Sequence, residues 1–127
     1  MLLGTVIYAK ELRRLVDFYS MFGFATKTEH PREYAVLSDG HSELNVVQIP
    51  DAIAVNISIR TPPIIRADTP IKLIVSVPCL ESALLEVQAN GGLTPNETWE
   101  FQGRMTEDVI DPEGNVLQLV QLPTQGQ

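Results

Sequence analysis

The hydrophobic pattern begins with a strand and a helix. Residues 5–9 form a short apolar, β-branched run, which is typical of a strand. Residues 12–22 then carry apolar side chains at the i, i+3, i+4 and i+7 spacing of an amphipathic helix, namely Leu12, Leu15, Val16, Tyr19 and Phe22. Gly23 predicts the end of this helix. Three further strands are predicted at 24–30, 34–37 and 43–49, with a hairpin turn at Asp39-Gly40.

The same order recurs in the second half of the chain. A shift of 68 positions places the first stripe on a second one: Leu12 on Leu80, Leu15 on Ala83, Val16 on Leu84, Tyr19 on Val87 and Gly23 on Gly91. A strand at 73–77 precedes this stripe, and strands at 98–102, 105–110 and 116–121 follow it. A fixed period indicates an internal repeat. The predicted fold class is therefore α+β, with two tandem modules forming a cup-shaped mixed sheet and helices outside.

The length of 127 residues predicts a single domain. We place module one at about 1–50, a linker at about 51–70 and module two at about 71–122. The segment 50–70 is the least regular part and holds four of the nine prolines. Within it, 52–59 is compatible with a short helix or an edge strand.

The charge and the cysteine content limit the classes of binding partner and the cellular compartment. The formal charge of −7 disfavours nucleic acid and anionic membranes, because both bind through basic patches. No apolar run approaches the roughly 20 residues that span a bilayer. The single cysteine, Cys79, suits a reducing compartment and is expected to be inert, since no histidine lies near it in sequence. We expect a cytoplasmic protein with a small-molecule ligand.

The most distinctive stretch lies near the C-terminus. Asp111-Pro112-Glu113-Gly114-Asn115 has the residues of a turn, and an apolar run suited to a strand follows it. Gln118 is a polar side chain within that run. It either faces solvent or points into a pocket.

Several motifs together resemble the vicinal oxygen chelate superfamily, which includes glyoxalases, extradiol dioxygenases and bleomycin-resistance proteins. They are Tyr8-Ala9-Lys10-Glu11-Leu12, Asp17-Phe18-Tyr19, Phe22-Gly23-Phe24 and the Asp111–Asn115 turn. The resemblance covers nearly the whole chain. It implies paired βαβββ modules, commonly as a homodimer. In the enzymes it implies a divalent metal held by His, Gln or Glu from the first and last strands of each module.

The resemblance maps the metal positions onto this chain. The family's histidine falls on Gly4, and the repeat partner of Gly4 is Lys72, whose ammonium has no lone pair for a metal. The family's glutamate falls on Gln118. In the first module the matching position is Leu44 or Asn45, and a slip of two residues brings in Glu43. We therefore expect no metal centre and no cofactor, and the alternative is a divalent metal held by Glu43 and Gln118.

Six residues are predicted to contact a ligand, each with a structural alternative. Tyr8 begins a strand that lines the predicted cup. Lys72 meets an oxyanion or pairs with a neighbouring acid. Asn45 and Gln118 form a hydrogen-bonding floor or cap buried backbone groups. Trp99, which shares a strand face with Phe101, stacks on a planar ligand or belongs to the core. Arg104 clamps an anion or holds the region of Glu107 and Asp108.

Three functions remain open at this point. The first is a metal-independent small-molecule binding protein of the glyoxalase and bleomycin-resistance type. The second is an enzyme: a lyase, isomerase or dioxygenase with a reduced metal-ligand set, or a metal-free catalyst using Lys72. The third is an interaction module whose cup is filled with side chains.

Overall fold

The computed structural model describes residues 1–66, 68 and 71–123. The chain divides into two compact units, Met1–Ile59 and Arg60–Gln127. The first contains β1 (Gly4–Ala9), α1 (Leu12–Ser20), β2 (Ala25–His30), β3 (Tyr34–Ser38), β4 (Glu43–Gln48) and a one-turn helix, α2 (Asp51–Ala54). The second contains β5 (Leu73–Val77), α3 (Leu80–Ala89), β6 (Trp99–Phe101), β7 (Arg104–Ile110) and β8 (Val116–Gln121). None of the described helices is long and apolar enough to cross a bilayer.

The two modules share one sheet topology. The strand orders are β1-β4-β3-β2 and β5-β8-β7-β6. In each module the first and last strands pair in parallel, and the other neighbours are antiparallel. A parallel pair needs a long connection, which the helix and the two intervening strands provide. The predicted α+β class and the two βαβββ modules are confirmed, and the assembly of the modules into one cup stays a prediction.

Helix α1 buries the stripe that its sequence predicts. Leu12, Leu15, Val16 and Tyr19 are all buried, and Phe18 joins them with its ring edge-on to Tyr19 at a centroid distance of 5.1 Å. The helix packs on β3 and β4, whose alternate residues are also buried. Burying one such side chain contributes about 1.5–3 kcal/mol, so this contact fixes which face of the sheet is covered.

Helix α3 covers the second sheet in the same way. Its buried residues Leu80, Ala83 and Val87 lie on the helix that packs against β7 and β8. Leu117 and Leu119 of β8 are fully buried. The helices of both repeats are followed by glycines with the same backbone conformation, with φ of 87° at Gly23 and Gly91.

The beginning of the second unit is held by the Asp111–Asn115 turn. The Arg66 N–H donates to the carbonyl oxygen of Gly114 at 2.9 Å. The Asp111 carboxylate, which is fully buried, accepts from the N–H groups of Glu113 and Asn115 at 2.8 and 3.0 Å. The turn that stands out in the sequence therefore also anchors part of the predicted linker.

Candidate functional site

Each sheet has one face that carries the helix, and we call the other the open face. In β4, Leu44 and Val46 are buried, whereas Asn45 between them is half-exposed. In β8, Gln118 is half-exposed between two buried leucines. Side chains of a strand alternate between faces, so Asn45 and Gln118 lie on the open faces of their modules.

Asn45 and Gln118 occupy equivalent places in the two modules. Asn45 is the register partner of Val6, and Gln118 is the register partner of Ile74. Val6 and Ile74 are themselves related by the repeat. The open-face position of the first module is therefore Asn45, because Leu44 points into the core.

Both amides keep hydrogen-bonding capacity. The Asn45 Nδ2 donates to the carbonyl oxygen of Thr5 at 3.5 Å, which is a long contact. Within the described residues, the Gln118 side chain has no hydrogen-bond partner. A half-buried carboxamide can offer a ligand both a donor and an acceptor. The open faces thus each carry a carboxamide at the equivalent register position.

Lys72 is paired with an acid on the open face of the second module. Its Nζ lies 2.9 and 3.1 Å from the two carboxylate oxygens of Asp108. Asp108 is the register partner of Gln118, so the ion pair lies beside that amide. The side chains remain 41% and 21% exposed. Of the two roles predicted for Lys72, the structure therefore contains the ion pair with a neighbouring acid.

Aromatic side chains accompany these polar groups. Trp99 and Phe101 share the open face of β6 and are 36% and 58% exposed, so Trp99 does not belong to the core. Trp99 pairs with Thr106, which lies two residues from Asp108 along β7, a separation of about 7 Å. In the first module, Tyr8 is exposed on the open face of β1.

Arg104 does not hold the acidic region that follows it, which corrects one of the sequence expectations. Glu107 accepts a hydrogen bond from the Thr98 hydroxyl at 2.7 Å, and Asp108 binds Lys72. Arg104 itself is exposed and forms no ion pair with a described residue. Strand alternation directs Glu107 to the helix side of the sheet, and Asp108, although on the same face as Arg104, is four residues away along β7, a separation of about 13 Å.

The residues at the family's metal positions do not fit a metal centre. Gly4 has no side chain, and a β-carbon there would lie 2.1 Å from the backbone oxygen of Glu43. Lys72 offers an ammonium. The Glu43 carboxylate is in an ion pair with Lys27 at 2.6 Å. Within either module, the described His, Cys, Asp and Glu residues form no group of three that could hold an ion.

Three side chains that position the site escaped the sequence analysis. Asp108 binds Lys72, and the amide oxygens of Gln48 and Gln121 accept the N–H groups of Leu12 and Leu80 at 3.0 and 2.7 Å. The repeat could have identified the two glutamines, because each is the last residue of the last strand of its module. Asp108 has no comparable signal, because only the strand order brings it near Lys72.

The thiol of Cys79, which is predicted from the sequence to be inert, has hydrogen-bond donors around it. Cys79 is exposed and immediately precedes α3. The hydroxyl of Ser82 donates to its Sγ at 3.3 Å. This hydrogen bond, joined by those from the backbone N–H groups of Ser82 and Glu81, lowers the pKa of the thiol below its ordinary value.

Comparison with known proteins places this geometry among solved structures. The sequence matches no protein-family model and no curated protein. A glyoxalase/bleomycin resistance protein/dioxygenase family enzyme from Burkholderia phytofirmans superposes with a TM-score of 0.72 at 16% identity, covering 97% of this chain and 100% of that one. A bleomycin-binding protein complexed with bleomycin gives 0.58 at 14% identity, covering 94% and 97%.

A third neighbour contains a metal. It is a mutant of the genomically encoded fosfomycin resistance protein from Listeria monocytogenes, complexed with Mn(II) and 1S,2S-dihydroxypropylphosphonic acid. Its TM-score is 0.72 at 10% identity, with 98% of this chain and 92% of that chain covered. At such identities the likeness establishes the fold alone. This chain therefore has the fold of the glyoxalase and bleomycin-resistance proteins, which is the fold of the vicinal oxygen chelate superfamily.

Proposed function

We propose that this protein binds a small organic molecule on its open faces without the metal centre of the family's enzymes. The observation that carries the proposal is the equivalent placement of Asn45 and Gln118. Both amides are half-exposed, lie at the same register position of their sheets and keep hydrogen-bonding capacity. Within each module, a polar group among exposed apolar side chains is typical of ligand sites.

The surroundings of Gln118 favour a ligand with a flat apolar part. Trp99 and Phe101 offer exposed aromatic rings, and Ile74 is 69% exposed beside Gln118. Lys72 and Asp108 neutralise each other, whereas the exposed Arg104, the register partner of Phe101 on the same face, offers a cation to an anionic group of the ligand. The overall charge of −7 favours a cation at long range. The bleomycin-binding neighbour supports a binding role for this fold.

The absence of a metal centre is part of the proposal and rests on the donor set. Gly4 supplies no ligand atom, and the ammonium of Lys72 is held by Asp108. Gln118 alone is a weak ligand for a divalent ion. We further propose a homodimer, which the resemblance to the superfamily implies, and a cytoplasmic location, and light scattering of the purified protein measures the first of these.

Ligand screening by thermal shift tests the binding function. We expect a subset of neutral and cationic aromatic compounds to raise Tm in a concentration-dependent way. Gln118→Ala and Asn45→Ala should reduce that shift by weakening binding about fivefold to tenfold, as loss of one hydrogen bond does. Glu86→Gln, an exposed change on α3, which covers the opposite face of the second sheet, is the control. A panel without any stabilising compound would contradict the proposal.

A metal-dependent lyase, isomerase or dioxygenase using Glu43 and Gln118 is the second candidate, and the Mn(II)-containing neighbour is the observation in its favour. Assays with glutathione hemithioacetals and catechols, with and without added Mn(II), separate the two functions. Turnover that requires the metal and is lost in Glu43→Gln would establish the enzyme. The Lys27–Glu43 ion pair argues against it, because that carboxylate already has a cationic partner.

A further inference from the structure

A surface groove on the helix side of the first module is separate from the open face. Its volume is about 760 Å³, within the range of small-molecule sites. The groove runs along the first turns of α1, and the β2–β3 turn and the start of α2 form other parts of its wall. Leu12 and Pro31 give it an apolar component.

The charged side chains of this groove are four cations and four anions, and most of them are already partnered. Arg13 forms ion pairs with Asp17 at 3.6 Å and with Glu29. Arg14 pairs with Glu11 at 3.7 Å. Lys10 donates its ammonium to the backbone oxygen of Ile57. These contacts satisfy the cations and anions along α1.

Two opposite charges remain. Among the described residues, neither the Arg32 guanidinium nor the Asp51 carboxylate has an ion-pair or hydrogen-bond partner. They line the same groove and are not paired with each other. The Gln48 N–H donates to the carbonyl oxygen of Glu33 at 2.8 Å, which ties the turn carrying Arg32 to the strand end just before Asp51. The segments that carry the free cation and the free anion are therefore neighbours in the wall of the groove.

The backbone of Arg32 has an unfavourable conformation. Its φ is 69°, in the left-handed region that costs a non-glycine residue roughly 1–2 kcal/mol. The turns at Gly40 and Gly114 use glycine for a positive φ. An arginine in such a position is costly for the fold, and a ligand contact of its guanidinium is a physical reason to retain it.

We propose that this groove binds a small zwitterion with a separated carboxylate and ammonium, of the amino-acid or short-peptide class. Arg32 receives the carboxylate with its planar, bidentate donor pair, and Asp51 receives the ammonium. The α1 terminus is not the anion site, since the Gln48 side chain already accepts the Leu12 N–H. The proposal is independent of any ligand on the open faces.

Titration followed by backbone-amide NMR of the full chain tests this site with glycine, diglycine and triglycine. Each added residue lengthens the charge separation by up to about 3.5 Å, so the series identifies the spacing that fits. We expect shifts around Leu12, Arg32 and Gln48 for at least one probe. The N-acetylated and C-amidated forms of that probe should bind at least about tenfold more weakly, because each lacks one charge.

Two near-isosteric variants localise the effect. Arg32→Gln and Asp51→Asn should each weaken the best probe at least about tenfold, since each removes a charge-assisted contact. Arg60→Gln and Glu97→Gln remove exposed charges away from the groove and should leave binding unchanged. Binding that survives both groove variants, or a lack of shifts with all three probes, overturns the proposal. Gln118→Ala should not alter this binding, which separates it from the open-face function.

Discussion

The ion pair between Lys72 and Asp108 changes the chemistry of the open face more than it changes stability. Exposed pairs of this kind contribute about 0–1 kcal/mol, because water screens the charges and two long side chains lose freedom. Its larger effect is to occupy the ammonium at the position where relatives are expected to bind a metal. Beside this ion pair, the Gln118 side chain has no hydrogen-bond partner among the residues that the structure describes.

Asp39 is a second carboxylate with a definite local role. Its Oδ1 accepts the N–H groups of Ser42 and His41, both at 2.8 Å. These hydrogen bonds, led by that from Ser42, lower the pKa of Asp39 below its ordinary value of 3.8. The ionised carboxylate is therefore the form that the folded turn favours.

We predict a pH-dependent cost for Asp39→Ala. A depressed pKa in the folded state means that the stabilisation is present above about pH 3.8 and is lost as pH falls through the folded pKa. The variant should be less stable than the wild type at pH 7, and the difference should shrink below pH 3.8 in urea unfolding. Ser38→Ala removes a turn hydrogen bond without a titrating group. Its cost should stay constant, and an equally constant cost for Asp39→Ala would contradict the prediction.

The first N–H group of each helix donates to a glutamine side chain from the last strand of the same module. The residues that precede α1 and α3, Glu11 and Cys79, make no side-chain capping bond. Gln48 and Gln121 take that role from across the sheet, and Gln48 also donates to the carbonyl oxygen of Lys10 at 2.6 Å. A cap of this kind links the position of the helix to the register of the strand.

We predict that Gln121→Ala lowers the free energy of unfolding by about 1 kcal/mol, the usual value of a lost helix cap. The physical reason is the Leu80 N–H, which would lose its acceptor in a half-buried place. Gln118→Ala is the matched control, because it changes the same residue type in the same strand without removing a hydrogen bond to a described residue. Chemical denaturation of both variants gives the comparison. Equal losses would show that β8, not the cap, is affected.

Substitution of Gly114 tests the contact between the Asp111–Asn115 turn and the chain at Ile64. Its φ is 91°, and an added β-carbon would lie 2.2 Å from the backbone oxygen of Ile64. We expect Gly114→Ala to cost roughly 2–5 kcal/mol, from the left-handed conformation and the overlap together. Gly103→Ala has a φ of 76° but no atom within 4 Å of the added carbon. It should cost only about 1–2 kcal/mol. Similar melting temperatures for the two variants would refute the role of the Ile64 contact.

The sequence predicts the elements of the whole molecule well because their signals are local. Both helical stripes, the 68-residue repeat and the Asp-Gly turn depend on residues close together in the chain. β5 and β8 have the predicted bounds, and most other elements differ by one or two residues. The sequence does not decide whether Leu44 or Asn45 is equivalent to Gln118 in the first module, because only the strand register distinguishes them.

Local signals in the sequence do not predict contacts between side chains on two strands that have a third strand between them. Lys72 and Asp108 are far apart in sequence and meet because β8 lies between β5 and β7. The groove beside α1 depends likewise on Arg32 and Asp51, from two different connections. Side-chain pairing of this kind follows from topology rather than from periodicity. The sequence therefore predicts candidate residues from their chemical type, but it does not predict which residues they contact.

The last prediction concerns metal binding by the whole protein. Neither EDTA nor stoichiometric Mn(II), Ni(II) or Zn(II) should shift the Tm of the wild type, because Gly4 and Lys72 offer no lone pair and Glu43 is paired with Lys27. A double variant, Lys72→His with Gln118→Glu, places two metal ligands on one open face. At a metal concentration of 100 times Kd it should gain about 2.7 kcal/mol of stability. Lys72→Ala with Gln118→Ala is the control, and a wild type stabilised by stoichiometric metal would instead favour the metal-dependent enzyme.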